Sequence, residues 1–105
     1  MTFIETKLFT KRVSEFISDE EYRQLQIALI GNPEKGAVVK GGKGLRKIRW
    51  TDLTKGKRGG IRIIYYYQVS EEEILMLYAY KKSEAEVITK QQLSQLIGII
   101  EERYK

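Results

Sequence analysis

The chain has 105 residues, 42% of them hydrophobic and 31% charged, which predicts one compact domain over residues 1–105, cytoplasmic and not membrane-bound. It contains no cysteine and no histidine, so a disulfide, a thiolate or imidazole zinc site, a cysteine nucleophile and a histidine base are all excluded, and no metal or cofactor is predicted. The net charge of +5 favours a polyanionic partner.

The first part of the chain is predicted to form a short strand and two helices. Residues 3–5 suit an opening strand, and residues 7–17 have the apolar spacing of one helix face. Ser18 begins the second helix as its N-cap, with Glu21 three residues later completing a capping box. The Gly-Asn-Pro run at residues 31–33 ends that helix.

The second part is predicted to be mostly strands. An extended piece at residues 38–39 precedes a strand at 45–50, and residues 61–69 and 73–81 form an antiparallel hairpin closed by a tight turn. Thr89 begins a final helix as its N-cap. The order β-α-α-β-β-β-α predicts an α+β fold, in which two N-terminal helices and one C-terminal helix pack on an antiparallel sheet.

The surplus of positive charge lies in one segment. Residues 40–62 hold nine lysines and arginines and a single acid, Asp52, whereas the other 82 residues carry ten cations and thirteen acids. Such a segment predicts contact with nucleic acid or with an acidic protein. The residues predicted to bind RNA are cations in or after this segment, with one tyrosine able to stack on a base: Lys40, Lys43, Arg46, Lys55, Lys57, Arg58, Tyr66 and Lys81.

Four cations are candidates for catalysis. Lys47 and Arg49 are two residues apart in a strand and therefore share a face. Arg62 is a single cation in an apolar run, so it must emerge from the sheet or be paired. Lys82 follows the hairpin, and if these strands are neighbours the four side chains converge on one surface.

Converging lysines and arginines suit the cleavage of RNA. Arginine binds phosphate oxygens through forked hydrogen bonds. Neighbouring cations lower the pKa of a lysine, which makes it a better proton acceptor. The ribose 2′-hydroxyl supplies the nucleophile, so a ribonuclease without histidine is chemically reasonable. The simpler interpretation is that lone strand cations are solvated and that tyrosines in strands are packing residues.

Three stretches carry a resemblance to a known family. They are GLRKIR at residues 44–49, KGKRGG at 55–60 and RIIYY at 62–66. Three further segments fit the same pattern: SDEEYR at 18–23, the Asn-Pro pair at 32–33 and YKKSE at 80–84. Together, in this order and over nearly the whole chain, the segments resemble the HigB-type toxins of the RelE superfamily.

The resemblance implies a metal-independent endoribonuclease that cuts translated messenger RNA on the 70S ribosome. It implies 2′-hydroxyl attack on the adjacent phosphate, with Lys47 or Arg49 as general base, Arg62 stabilising the phosphate and Lys82 protonating the leaving group or stabilising charge. It also implies a helix-turn-helix antitoxin of the HigA kind, which carries the toxin to operator DNA and represses the operon with it.

The chain departs from the family at one point. Better known RelE toxins have a tyrosine shortly after the last basic residue, where this chain has Val87 and Ile88. Two alternatives to an enzyme remain open at this stage. One is a non-catalytic module that binds RNA or the ribosome, and the other is an inactive homologue that acts only through antitoxin binding.

Overall fold

A computed structural model of the chain describes residues 1–50, 60–84 and 87–104. Its elements follow the predicted order, and the extended piece predicted at residues 38–39 is a two-residue strand at Ala37–Val38. Residues 51–59, between the predicted strands at 45–50 and 61–69, lie outside the described residues. The elements are β1 Thr2–Glu5, α1 Lys7–Phe16, α2 Asp19–Gly31, β2 Ala37–Val38, β3 Leu45–Trp50, β4 Ile61–Gln68, β5 Glu73–Lys81 and α3 Lys90–Tyr104.

The strands form one sheet in the order β1-β5-β4-β3-β2. The predicted β4–β5 hairpin is present, and β3 and β2 extend it as antiparallel neighbours. At the other edge β1 pairs with β5 in parallel, so the sheet is mixed and not purely antiparallel. No tight turn joins β1 to β5, and the two helices between β1 and the rest of the sheet allow the parallel direction. The predicted α+β class is confirmed.

Helices cover both faces of the sheet, so the molecule has two cores. α1 and α2 pack on one face, where Phe9 and Leu25 are fully buried against Ile63 and Tyr65. α3 packs on the other face, where Leu96 and Ile100 meet a second apolar set. The sheet residues buried on the α3 side are Leu45, Ile64, Leu75, Leu77 and Tyr80.

Both helix starts predicted from capping residues are confirmed. The Ser18 hydroxyl accepts the Glu21 backbone N–H at 3.1 Å, and the Glu21 carboxylate accepts the Ser18 N–H at 2.9 Å. At the start of α3 the Thr89 hydroxyl accepts the Gln92 backbone N–H at 3.0 Å, and the Gln92 side-chain oxygen accepts the Thr89 backbone N–H at 2.9 Å. Each pair satisfies backbone donors that a helix end leaves open.

A β-bulge interrupts the pairing of β4 with β5. Ile64 pairs with Tyr78 but Tyr65 pairs with Met76, which leaves Leu77 as an extra residue in β5. Strict alternation from Met76 would place Tyr80 on the α1–α2 face. Because the bulge shifts the alternation by one residue, Tyr80 lies on the α3 face instead.

No helix within residues 1–50, 60–84 and 87–104 has both the length and the apolar character needed to cross a membrane.

Candidate nucleic-acid interface

Three of the four candidate catalytic residues lie on the α3 face of the sheet. Lys47 and Arg49 are two and four residues after Leu45 in β3, so they lie on the same face as Leu45, which is buried under α3. Arg62 is two residues before Ile64 in β4 and shares the face of Ile64, which is buried in the same core. The residues between them, Ile48 among others, face α1 and α2. The alternation of the strands thus separates these three cations from the core beneath α1 and α2.

The sheet register places a row of polar residues side by side. Arg49 lies directly opposite Arg62, and Arg62 lies directly opposite Tyr80, so three adjacent strands contribute one residue each. Directly opposed side chains have Cβ atoms about 4.5–5.5 Å apart, and like charges in such pairs repel. Neither arginine forms an ion pair with an acid in the part of the chain that the structure describes. A bound anion would relieve this repulsion.

Arg62, the second residue of β4, has one side-chain hydrogen bond among the residues that the structure describes. The residue is half-buried, and one guanidinium nitrogen donates to the Gly60 carbonyl at 3.1 Å. An arginine side chain has five N–H donors in a planar fork. With the backbone contact fixing one arm, the rest of the fork suits two oxygens of a phosphate.

A groove of about 410 Å³ runs beside this row, between β2, β3 and the segment that leads into α3. Its polar groups come from Lys40, Lys47 and Tyr80. The size and the mixture of an apolar wall with a few polar groups are typical of a small-ligand site. The remaining lining residues are apolar: Ala37, Val38, Val39, Ile64, Val87, Ile88 and Leu93.

Tyr80 is the buried member of the row. Only 2% of the residue is exposed, and its hydroxyl has no hydrogen-bond partner among the described residues. Burial raises the pKa of the Tyr80 phenol, and the nearby positive charge of Arg62 acts in the opposite direction. The phenol is therefore a neutral hydrogen-bond donor at physiological pH, opposite the permanently charged guanidinium of Arg62.

Lys82 lies in the turn that follows β5, at the end of the sheet where β3 ends and β4 begins. This turn is braced by Glu84, whose carboxylate accepts the Lys81 backbone N–H at 2.8 Å and an Arg12 N–H at 2.6 Å. Arg12 also donates to the Ala79 carbonyl at 2.6 Å. The backbone bond from Lys81 and then the bond from Arg12 lower the pKa of Glu84.

Two of the residues predicted to bind RNA lie on the opposite face. Arg46 points towards α2, pairs with Glu34 at 3.1 Å and donates to the Gly36 carbonyl at 2.8 Å. The Lys81 ammonium lies 5.3 Å from the centroid of the Phe16 ring. Both side chains have structural contacts there and are not brought together with Lys47.

The other predicted contacts are spread along the α3 side. Lys40 lines the groove, and Lys43 forms an exposed ion pair of 3.7 Å with Glu101 on α3. The Tyr66 ring packs against Tyr104, with centroids 5.7 Å apart. The predictions for Lys55, Lys57 and Arg58 fall outside the described residues.

Tyr80 is the residue of this surface that sequence reasoning missed. It stands directly before the lysine pair that ends β5, which is a signal, but regular alternation assigns it to the wrong face. Only the bulge places it beside Arg62.

No family model matches the chain. Among solved structures, it is similar to the free-state structure of E. coli toxin RelE carrying two arginine-to-alanine substitutions. The TM-score is 0.61 at 15% sequence identity, over 81% of this chain and 86% of that one. The chain has a RelE-like fold. At this identity the likeness concerns the fold alone, and the RelE-like sheet is the frame on which Lys47, Arg49 and Arg62 are arranged.

Proposed function

We propose that the chain is the toxin of a type II toxin–antitoxin pair, of the HigB branch of RelE-like toxins, and that it cuts translated messenger RNA on the ribosome. The observation that carries the proposal is the placement of Lys47, Arg49 and Arg62 on one face of a RelE-like sheet. None of the three is ion-paired with an acid within the described ranges. Such a set of charges favours a polyanionic substrate.

The proposed reaction is a transesterification. The ribose 2′-oxygen attacks the adjacent phosphorus, the bond from phosphorus to the 5′-oxygen breaks, and the products are a 2′,3′-cyclic phosphate and a 5′-hydroxyl. One proton leaves the 2′-hydroxyl and one reaches the 5′-oxygen. The substrate thus provides its own nucleophile, and the protein has to move two protons and stabilise the negative charge of the transition state.

The cations divide these tasks by their chemistry. Lys47 is the group that accepts the proton of the 2′-hydroxyl, because the guanidinium of Arg49 or Arg62 is not deprotonated in proteins. Arg62, with Arg49 opposite it, stabilises the charge on the phosphate oxygens. Lys82, in its braced turn at the same end of the sheet, protonates the leaving 5′-oxygen.

The wider basic surface would hold the RNA strand and the ribosome. Lys40 continues the α3-side surface from Lys47 along the groove. Lys55, Lys57 and Arg58 add charge from the segment between β3 and β4. Phosphate contacts of this kind supply affinity without sequence specificity, since they read the backbone and not the bases.

The proposed protein partner is a HigA-like antitoxin with a helix-turn-helix domain. An acidic surface on the antitoxin would cover the same cations and block the RNA site. Operator DNA would be reached only through the antitoxin, with the pair repressing its own operon in the cytoplasm.

The test is expression of the chain alone, followed by mapping of new 5′ ends on cellular transcripts. We expect growth arrest and cleavage within translated regions. Arg62→Ala and Lys82→Ala should each slow cleavage by roughly 10²–10³-fold, the loss typical for one transition-state contact. Arg23→Ala is the matched control, because Arg23 is an exposed cation on α2, on the far side of the sheet.

The other outcomes separate the alternatives. Inhibition of translation without new RNA ends would identify a non-catalytic ribosome-binding module. A chain that affects neither growth nor RNA but binds its antitoxin would be an inactive homologue. Equal rates for Arg62→Ala and wild type would remove Arg62 from the proposed mechanism.

A further inference from the structure

We infer that the Tyr80 hydroxyl belongs to the RNA site and donates a hydrogen bond to a phosphate oxygen of the bound strand. The inference rests on the proposed function and adds a fifth group to the cations that it uses. It stands on the burial of the hydroxyl, its lack of a partner, the β-bulge that aims it, and the groove that its ring lines.

The fold does not account for a buried hydroxyl group on Tyr80, because nothing in the described chain binds it. Tyr80 is 2% exposed, and its oxygen is covered but has no hydrogen-bond partner among the described residues. By contrast, the Tyr65 hydroxyl, equally buried, has two backbone partners. A buried polar atom without a partner is costly, and phenylalanine would fill the same space without that cost. A partner supplied by a ligand would satisfy the atom.

The location of the residue indicates what that ligand is. Tyr80 lies opposite Arg62 in the β4–β5 register and lines the groove together with Lys40 and Lys47. The Tyr80 hydroxyl can donate a hydrogen bond, and the positive charge of Arg62, Lys40 and Lys47 on this side favours an acceptor that is negatively charged. A phosphate oxygen meets both requirements, whereas an amine or a cation would be repelled.

The local backbone directs Tyr80 to this position. The extra residue Leu77 in β5 moves Tyr80 from the α1–α2 face to the α3 face. Bulges commonly re-aim a side chain beside a functional site. Since the hydroxyl is covered in the free protein, the group that covers it must move aside when the strand binds.

The experiment compares wild type, Tyr80→Phe and Tyr78→Phe. Tyr78 is the matched control, because it lies on the same face and stacks on Tyr80 with ring centroids 5.8 Å apart, while only half-buried. Single-turnover cleavage is measured on messenger RNA bound to purified 70S ribosomes, at saturating ribosome concentration. The thermal midpoint of each variant is measured in parallel without RNA.

We expect Tyr80→Phe to cut at least tenfold more slowly than wild type while its Tm is unchanged or higher, and Tyr78→Phe to cut at the wild-type rate. If Tyr80→Phe cuts as fast as wild type, the inference is overturned and the proposed function is left intact. A slower Tyr80→Phe whose Tm has fallen would overturn it too, since that pair of results indicates a structural role. A wild-type chain that cuts nothing would overturn the proposed function and this inference together.

Discussion

Replacing Tyr65 by phenylalanine would remove a single oxygen atom from the core beneath α1 and α2. The Tyr65 hydroxyl donates to the Pro33 carbonyl at 2.8 Å and accepts the Gly36 N–H at 2.9 Å. These two bonds tie the segment between α2 and β2 to the centre of the sheet. Gly36 packs so closely on the Tyr65 ring that a Cβ there would lie 2.9 Å from it.

The magnitude follows from the two backbone groups that the substitution leaves without a partner. A buried donor or acceptor that loses its hydrogen bond costs about 1–3 kcal/mol. The Gly36 N–H is buried but the Pro33 carbonyl is only part-buried and can still meet water, so Tyr65→Phe should lower the free energy of unfolding by about 2–4 kcal/mol. The loss is a large share of the roughly 5–15 kcal/mol that stabilises a typical domain. It should also loosen residues 37–40, which form one wall of the groove.

The assay is equilibrium unfolding in urea. We expect the midpoint to fall with an unchanged m-value, because the surface exposed on unfolding stays the same. Tyr67→Phe is the control, since Tyr67 lies on the same face of β4 and its hydroxyl has no hydrogen bond within the described chain. A Tyr65→Phe protein within about 0.5 kcal/mol of wild type would refute the role of this hydroxyl as an anchor.

Two further predictions concern contacts at the surface. Ser18→Ala removes the N-cap acceptor of α2 and should lower the free energy of unfolding by about 1 kcal/mol; a urea midpoint equal to that of wild type would contradict it. The pKa of Glu84 is lowered from its ordinary value of 4.5 by the Lys81 backbone N–H and by Arg12. The stabilisation of the fold by the ionised Glu84 carboxylate is therefore complete above pH 4.5 and is lost as the pH falls through the lowered pKa. The difference in urea midpoint between wild type and Glu84→Gln should therefore shrink under acid conditions, and a difference independent of pH would argue against this brace.

Local signals in the sequence were sufficient to predict the type and order of the helices and strands. The capping pairs of Ser18 and Thr89 depend on residues three positions apart, so their chemistry is readable without a fold. The bounds of β3 and β5 match those predicted, because β-branched and aromatic runs end at turn residues. Alternation also determined that Lys47 and Arg49 share one face of their strand.

The assembly of the candidate site depended on contacts between distant parts of the chain. Arg46 and Lys47 are adjacent cations, and alternation places them on opposite faces of β3. Which of them meets Glu34 and which faces the groove was decided by the helices that cover each face. The direction of β1 against β5 was likewise open, because no short turn links the two strands.

By itself, then, the sequence determined the order of the elements, their capped ends and the concentration of positive charge in residues 40–62, since all three arise from near neighbours. The tertiary structure alone decided the row of Arg49, Arg62 and Tyr80, because that row requires the register of three strands and one extra residue in β5. A bulge is set by pairing between strands, and no pattern within a single strand encodes it.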